Sequence, residues 1–459
     1  MTQTTQQKSG NLSTPSTSIS NLPAGITNSN LELAGELIDS GKAEKALTIA
    51  SEELDKSPDN PLALFLMTKA FLELRRPGYA QLFAKTCVRL MPTSQDAWVN
   101  MGLAYQLSYE IEKAVACNEK ALQLKPEYFP ALNNLALSYI NNGDPEGGLE
   151  YAYRGLAVNP DHIDIVETMG FANLMMHKWT PGWNMYNNGL GRTKDRTIRN
   201  YNNVPDWNGE KGKTVVLYGE QGIGDEICFN QVVPDMMKDC NLIVETCQTL
   251  YKLFKESFDC PVYETRYVEP YWAKDVDAKL SICQAMEMYR YRNEQFNGKP
   301  YLKANPEKRK WWRAILDQYP GKKIGIAWNG GLAETGGKRR SISVEDFAQL
   351  FNDGNTYVSL EYKDTDIPEG VLDFGMFINA KKNYEDTAAL VMELDNVLAV
   401  TTAVVDLCGA LGKQCDVLVP SVPHWKYYRD CVWYNSVNII RQSGTWKETI
   451  ETYAKSFHR

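Results

Sequence analysis

Histidine is scarce in this chain, with four residues in 459 positions. Metal sites built from several histidines, and nucleophilic pairs that need histidine as a base, are therefore disfavoured. Acidic residues outnumber lysine and arginine, and the net charge of −8 does not provide the basic face typical of nucleic-acid-binding proteins. No stretch approaches 18 consecutive apolar residues, so we expect no membrane-spanning helix.

Cysteine usage and composition indicate an ordinary globular protein. The ten cysteines include no Cys-x-x-Cys pair, which predicts reduced, mostly buried thiols and a cytoplasmic protein. Hydrophobic residues make up 43% of the chain, enough for a large core, and at ~150 residues per domain the length predicts about three domains. Residues 1–26 are rich in threonine, serine, glutamine and asparagine, which predicts a disordered lead-in without a signal peptide.

The first half of the chain repeats with a period of 34 residues. Small residues recur at the position expected for close contact between two helices, and each repeat closes with a proline that ends its second helix. The prolines are Pro58, Pro92, Pro126 and Pro160, and the small residues are Ala46, Ala80, Ala114 and Gly148. The pattern resembles the tetratricopeptide repeat (TPR). It predicts repeats over about 27–160, a closing helix pair over about 163–191, and a helical solenoid with a concave face.

The concave face has two interpretations. It binds a protein partner or an acceptor substrate, or it serves as a rigid spacer or dimerisation element. Asn133, Asn134, Asn141 and Asn142 are expected to be exposed, where they could line the groove, but asparagine is also common on surfaces and in turns.

The second half alternates predicted strands and helices after a polar loop at 195–213. The predicted helices cover about 226–239, 248–258, 278–290, 304–319, 403–412 and 446–458. The predicted strands are 214–218, 241–247, 261–267, 322–328, 356–362, 396–402 and 415–420. Two runs of strand–helix units predict two Rossmann-like, doubly wound parallel-sheet subdomains that face each other across a cleft, over 195–303 and 304–459, after a repeat domain over 27–194.

The turns after the strands are where ligands bind in such sheets. The first turn contains Gly222 and Gly224 but lacks the third small residue of a dinucleotide fingerprint, while Glu245 lies where a ribose-binding acid would be. An NAD-binding enzyme is therefore a minor alternative. Asp225 is either the N-cap of the next helix or a general base that points into the cleft.

Two further turns carry candidate phosphate ligands. The turn that begins at Asn329 continues into a flexible, glycine-rich loop with Lys338, Arg339 and Arg340, whose cations suit a diphosphate. The alternative is an ordinary solvated loop, since short basic triplets are common. Thr401 and Thr402 precede a helix whose free N–H groups could bind phosphate. The aromatic residues between 425 and 434 either stack on a base or sugar or pack against the C-terminal helix, and we favour packing.

The order of these motifs resembles a bacterial family that joins tetratricopeptide repeats to a GT-B-type glycosyltransferase module. That module is related to the heptosyltransferases and, more distantly, to the O-linked N-acetylglucosamine transferases. The resemblance runs from about residue 27 to the end of the chain. It rests on GEQGIGDEI (219–227), IAWNGG (326–331), RSISVEDF (340–347), YVSLEY (357–362), YEDTAALV (384–391) and TTAVVDLCGALGKQCDVLVPSVPHW (401–425).

The resemblance implies an inverting, metal-independent glycosyltransferase that needs no cofactor and uses a nucleotide-sugar as substrate. Asp225 corresponds to the catalytic base, and the acceptor is a glycan or protein hydroxyl that the repeats present. The implied donor-binding residues are Gly222, Gly224, Asn329, Lys338, Arg339, Arg340, Glu361, Thr401, Thr402, Ala403 and Asp406.

Two positions depart from the family pattern. Asp406 stands where the family usually has histidine, and Thr401 replaces an aspartate. A carboxylate in the first turn of the phosphate-facing helix would repel a diphosphate unless it turns toward the sugar hydroxyls. These departures support the alternative function, a non-catalytic tetratricopeptide scaffold that keeps a degenerate transferase module.

Overall fold

The computed structural model describes residues 29–192, 196–264, 270–331, 337–348, 350–351, 354–362, 365–378 and 382–457. The predicted lead-in over 1–26 lies outside these residues. The described chain divides into two compact units, with the boundary between Ala172 and Asn173. The predicted domain boundaries at 194 and 303 stay predictions.

The first unit is a solenoid of paired helices, as the 34-residue period predicts. Its helices are α1 (Ser29–Asp39), α2 (Ala43–Lys56), α3 (Pro61–Glu73), α4 (Pro77–Leu90), α5 (Gln95–Leu107), α6 (Ile111–Leu124), α7 (Phe129–Asn141) and α8 (Pro145–Val158). Helix α9 (Ile163–Met175) crosses the boundary between the units, and α10 (Trp179–Asn187) belongs to the second unit. Each of the four repeat-closing prolines follows the last residue of its helix by two positions, because the residue before a proline is disfavoured in the α conformation.

Small residues let the two helices of a repeat approach each other. Ala80 and Ala114 are fully buried. Gly148 in α8 packs so closely on α7 that a Cβ atom there would lie 2.8 Å from the Ala136 carbonyl oxygen and closer still to Ile140. A methyl group therefore has no room at this position.

Two asparagines on α7 differ from the sequence-based expectation. Asn133 and Asn134 were expected to be exposed, but they are buried, with 1% and 0% of their surface accessible. Helix α7 has neighbours on both sides, α6 and α8, so most of its faces are covered. The expectation failed because asparagine is typically a surface residue, whereas burial is decided by the neighbouring helices.

The second unit contains two sheets of parallel strands. The strands are β1 (Thr214–Tyr218), β2 (Asn241–Glu245), β3 (Val262–Tyr263), β4 (Ala278–Ser281), β5 (Lys323–Ala327), β6 (Thr356–Ser359), β7 (Val371–Leu372), β8 (Asn396–Val400), β9 (Cys415–Val419) and β10 (Val437–Arg441). The first sheet has the order β3-β2-β1-β4 and the second β10-β9-β8-β5-β6-β7. The central strands β1 and β8 are almost wholly buried, since helices follow them.

Helices connect and cover these strands. They are α11 (Ile223–Phe229), α12 (Val233–Met236), α13 (Gln248–Ser257), α14 (Ile282–Tyr289), α15 (Pro306–Leu316), α16 (Gly337–Arg340), α17 (Val344–Ala348), α18 (Tyr384–Glu393), α19 (Ala403–Leu411) and α20 (Trp446–Phe457). Helix α20 packs on the second sheet, where Ile450 and Tyr453 join the core around Trp328 and Tyr357.

Several predicted elements were wrong in type or extent. The helix predicted over 278–290 is strand β4 followed by α14, because Ser281 and Gln284 form a capping box that starts the helix there. The helix predicted over 226–239 begins at Ile223 and is interrupted by a 3₁₀ turn at Asn230–Val232. Strands β7 and β10 were not predicted. Of the strand predicted over 261–267, residues 265–267 lie outside the described residues.

The close contact at Gly148 gives a stability prediction. Replacing Gly148 with alanine should destabilise the repeat unit by ~1–3 kcal/mol, because overpacking outweighs the better helix propensity of alanine. Gly78→Ala is the matched control, since a Cβ atom there meets nothing within 4 Å. Urea unfolding followed by circular dichroism measures both, and equal midpoints for the two variants would contradict the packing role.

Candidate functional site

Helices α11 and α19 contact each other, and each follows a strand of a different sheet in the second unit. Helix α11 follows β1 after a short turn, and α19 follows β8 directly, so both helices begin at the carboxyl ends of central strands. Gly224 allows the contact, because a Cβ atom there would lie 2.9 Å from Asp406 Oδ2 and 3.4 Å from the Cα atom of Ala403. Gly222 has open space where its Cβ would be, so packing does not require glycine there.

A buried ion network lies at this contact. Lys426 Nζ donates to both carboxylate oxygens of Asp406 at 2.8 Å, and it lies 3.4 Å from Asp225 Oδ1. The hydroxyl of Tyr434 donates to Asp406 Oδ1 at 3.2 Å. The side chains of Lys426, Asp406 and Asp225 are 5%, 4% and 7% exposed. One lysine thus pairs with an aspartate from each of the two helices.

The electrostatics of the network favour a charged lysine. Burial opposes the charge of Lys426, but the nearby Asp406 and Asp225 outweigh it and raise the pKa of Lys426 above its ordinary value. Burial also raises the pKa of Asp406 to about 6, although Lys426 acts in the opposite direction. Both aspartates lie in first turns, where each helix N-terminus contributes roughly half a positive charge. The lysine and the two helix ends together offset two carboxylates.

The structure changes the interpretation of Asp225 and Asp406. Asp225 is not an N-cap, because α11 begins at Ile223 and is preceded by Gly222. Asp406 was expected to repel a diphosphate, but its carboxylate pairs with Lys426. Sequence reasoning missed Lys426. The signal that could have identified it is a single lysine within a run of aromatic residues, since a buried ammonium group requires an acidic partner.

The cations predicted to form a flexible loop lie in a short helix. Residues 337–340 form α16, and the Ser341 N–H donates to the Gly337 carbonyl at 2.9 Å. Arg340 Nη1 donates to the carbonyl oxygen of Thr401 at 2.8 Å, so α16 reaches the residues that precede α19. The structure does not describe the side chain of Lys338, whereas Arg339 is partly exposed.

Glu361 and Asn329 are brought together, but by a backbone contact. Glu361 Oε1 accepts hydrogen bonds from the backbone N–H groups of Trp328 and Asn329, at 2.6 and 2.8 Å. This carboxylate oxygen therefore holds the turn after β5. The predicted donor residues thus divide into Gly224, Ala403 and Asp406 at the helix contact, Arg340 with Thr401 beside it, and Asn329 with Glu361 at the neighbouring strands.

Buried acidic residues also gather near the carboxyl ends of β1 and β2. Glu220 pairs with Arg196 through two hydrogen bonds of 3.0 Å. Glu245 accepts from the Tyr201 hydroxyl at 2.8 Å and lies 3.1 Å from Arg199. A ribose would have to displace these groups from Glu245, so the residue that favoured an NAD-binding enzyme already has protein partners.

The aromatic residues between 425 and 434 pack, as favoured, but the predicted partner was wrong. Trp425 and Trp433 lie edge-on to each other with ring centroids 5.5 Å apart, and both contact Phe229 at the end of α11. Trp183 of α10 stands edge-on to Trp425 at 6.4 Å. The cluster thus packs against α10 and α11, while the C-terminal helix α20 packs on the second sheet instead.

The described residues contain neither a cluster of metal ligands nor a membrane-spanning helix. Among the residues given above, no three histidine, cysteine, aspartate or glutamate side chains are grouped so as to hold a metal ion. None of the described helices has the length and apolar character needed to cross a membrane. All ten cysteines are free thiols.

Comparison with known proteins identifies the repeats. The N-terminal TPR repeats region of Psidin matches residues 35–154. Protein FlbA of Caulobacter vibrioides is 24% identical over 447 residues, covering 86% of this chain and 72% of that protein. The peroxisomal targeting signal receptor of Saccharomyces cerevisiae is 25% identical over 27% of this chain, which spans only 20% of the receptor.

Two solved structures are similar to about a third of this chain. MamA covers 34% of this chain and 91% of its own at 20% identity, with a TM-score of 0.31. A thermophilic TPR protein of Thermus thermophilus covers 36% of this chain and 90% of its own at 22% identity, with a TM-score of 0.33.

The match to the TPR repeats region and the observed helices and strands together define the architecture. The chain has an N-terminal tetratricopeptide solenoid followed by a region with parallel sheets. The repeats indicate a scaffold or partner-binding role.

His424, just before Lys426, makes stability depend on pH. Burial, Lys426 and Arg340 hold the pKa of His424 well below its usual range. The unfolded chain takes up this proton near pH 6.5, whereas the folded chain does not. Stability should therefore fall as the pH drops below 6.5, because only the unfolded chain gains the proton. Between pH 7.5 and 5.5, His424→Gln should lose less stability than wild type in urea unfolding, and an equal loss in both proteins would refute this.

Proposed function

We propose that the second unit is a GT-B-type module of two Rossmann-like subdomains, and that the protein is an inverting, metal-independent glycosyltransferase. It moves a sugar from a nucleotide-sugar to a hydroxyl of a glycan or protein. The observation that carries the proposal is the position of Asp225. Its carboxylate lies where the helices after the central strands of both sheets meet, paired with a buried lysine.

In the proposed reaction, Asp225 accepts the proton of the acceptor hydroxyl. The acceptor oxygen forms a bond to the anomeric carbon on the face opposite the leaving group, and the bond between that carbon and the diphosphate oxygen breaks with its electron pair. General-base assistance of this kind contributes roughly 10²–10⁴-fold to the rate. The nucleoside diphosphate leaves as the second product.

The residues around Thr401 support a donor site. Thr401 is 3% exposed, and its hydroxyl and that of Thr402 are buried without hydrogen-bond partners among the residues the structure describes. Such hydroxyls favour an additional ligand, because an unsatisfied buried polar group costs ~1–3 kcal/mol. In the proposal, Arg340 beside Thr401 and Arg339 in the same helix stabilise the negative charge of the leaving diphosphate.

The repeats have a separate proposed task. They bind the acceptor, or a protein partner that carries it, in the groove of the solenoid. Asn133 and Asn134 are not part of that proposal, because both are buried within the helix stack.

A second candidate function is a tetratricopeptide scaffold whose sheet region binds partners without transferring sugar. The observation that favours it is the closed ion network, in which Asp225 and Asp406 are nearly inaccessible and paired with Lys426. In this case the carboxylates stabilise the contact between the sheets and perform no chemistry.

Nucleotide-sugar binding distinguishes the two candidates. A donor at 100 times its dissociation constant should raise the stability of the full chain by about 2.7 kcal/mol, measured as a thermal shift across a panel of nucleotide-sugars. The absence of any shift across the panel would favour the scaffold.

With the donor found in this way, Asp225→Asn should lower kcat by ~10²–10⁴-fold with donor affinity nearly unchanged. Exposed Asp206→Asn serves as the control, and wild-type turnover by the Asp225 variant would refute the transferase.

Arg340 tests the donor site independently. Arg340→Met should weaken donor binding at least tenfold in isothermal titration, since it removes a cation and a charge-assisted donor from the diphosphate. Arg313→Met is a matched control, because that arginine pairs with Glu393 on α18. Equal donor affinity in both variants would argue against a diphosphate site beside Thr401.

A further inference from the structure

Lys426 lies between two aspartates that come from two different helices, and it belongs to neither helix. Asp225 is in the first turn of α11, Asp406 is in the first turn of α19, and Lys426 lies in the 3₁₀ turn Trp425–Tyr427 after the second sheet's β9. Its two short hydrogen bonds, both 2.8 Å, go to Asp406, whereas its distance to Asp225 is 3.4 Å. Asp406 thus fixes the ammonium group, and the ammonium charge acts on Asp225.

Without the lysine, this contact would hold two buried carboxylates. Two such groups in one desolvated site tend to share a proton, because neither can ionise fully beside the other. A protonated Asp225 would not accept a proton from an acceptor hydroxyl. The charge of Lys426 therefore affects the proposed proton transfer to Asp225 as well as the packing of the two helices.

Other titratable side chains face the network from the elements around it. They are neutral at pH 7, because burial raises the pKa values of these thiols and phenols above their ordinary range. They are Cys228 of α11, Cys283 of α14, Tyr301 of the segment before α15, Tyr384 of α18, and Tyr427, Cys431 and Tyr434 of the stretch that carries Lys426. His424 is also neutral at pH 7, because burial and the charges of Lys426 and Arg340 lower its pKa.

We propose that Lys426 is a positioning residue for Asp225: anchored by Asp406, its ammonium group offsets the negative charge of the Asp225 carboxylate and fixes that carboxylate at the α11–α19 contact. This inference rests on the proposed role of Asp225 as the base. It assigns Asp406 an electrostatic task through Lys426, in place of direct contact with the sugar donor.

Three single variants test the assignment, with the donor and acceptor used for the Asp225→Asn assay. Lys426→Met should lower kcat at pH 7 at least tenfold and shift the acid limb of the pH–rate profile upward by at least one pH unit. Donor affinity should change less than threefold. Lys426→Arg keeps the positive charge, so its kcat should lie within threefold of wild type and its acid limb should stay at the wild-type pH. Lys308→Met, which breaks an ion pair with Glu385 and Asp386, is the control for loss of a buried or half-buried lysine.

A double variant separates positioning from folding. Lys426→Met with Asp406→Asn removes one charge of each sign, so the folded protein keeps a single buried carboxylate at Asp225. A positioning role predicts that this variant folds and still shows the shifted acid limb, because a buried carboxylate without a neighbouring cation is harder to ionise. Wild-type kcat and pH profile in the double variant would overturn the inference.

Infrared spectroscopy gives a readout that needs no substrate. At pH 7 the double variant Lys426→Met/Asp406→Asn, in which Asp406 cannot supply the signal, should show the carbonyl stretch of a protonated carboxylic acid that is missing from wild type and from Lys426→Arg. Failure of the two proposals is distinguishable. Full turnover by Asp225→Asn refutes the base, whereas an inactive Asp225→Asn combined with an unchanged profile in Lys426→Met and an unchanged infrared spectrum in the double variant refutes only the role of Lys426.

Discussion

The buried contact between α11 and α19 depends on charge balance. Two aspartates, one from each helix, lie close together there. A desolvated carboxylate is tolerated only when positive charge offsets it. Lys426 supplies a full charge, and the first turns of both helices supply partial charges. The close approach at Gly224 follows from the same arrangement, because the carboxylate of Asp406 fills the space that a side chain would need.

Hydrogen bonds and aromatic contacts reinforce this junction. The Tyr301 hydroxyl donates to the Ile227 carbonyl at the end of α11, and the Tyr301 N–H donates to the Ala410 carbonyl of α19. The Trp425–Trp433 cluster closes one side against Phe229. These contacts hold α11 and α19 together beside the residues that are proposed to bind the donor, and precise positioning of a reacting group requires such support.

The functional interpretation joins two physically different parts. The repeats form an extended surface made of nearest-neighbour contacts, suited to recognising a partner. The parallel sheets concentrate polar groups at strand ends, suited to binding a small ligand. In the proposed transferase the repeats select the acceptor and the sheets hold the donor, while in the scaffold alternative both parts recognise partners.

Local patterns in the chain determined the helical solenoid, the parallel-strand character of the second half and most strand positions. The reason is that period, small residues and prolines act between near neighbours, as Gly148 and the four repeat-closing prolines show. Strands β4, β7 and β10 were not predicted. They lie at sheet edges, and β7 and β10 are only partly buried, so they lack the long apolar runs of the central strands. The partner of Asp406 was decided only by tertiary structure. Lys426 lies 20 residues away from it, and the charge of a buried group depends on what surrounds it in space.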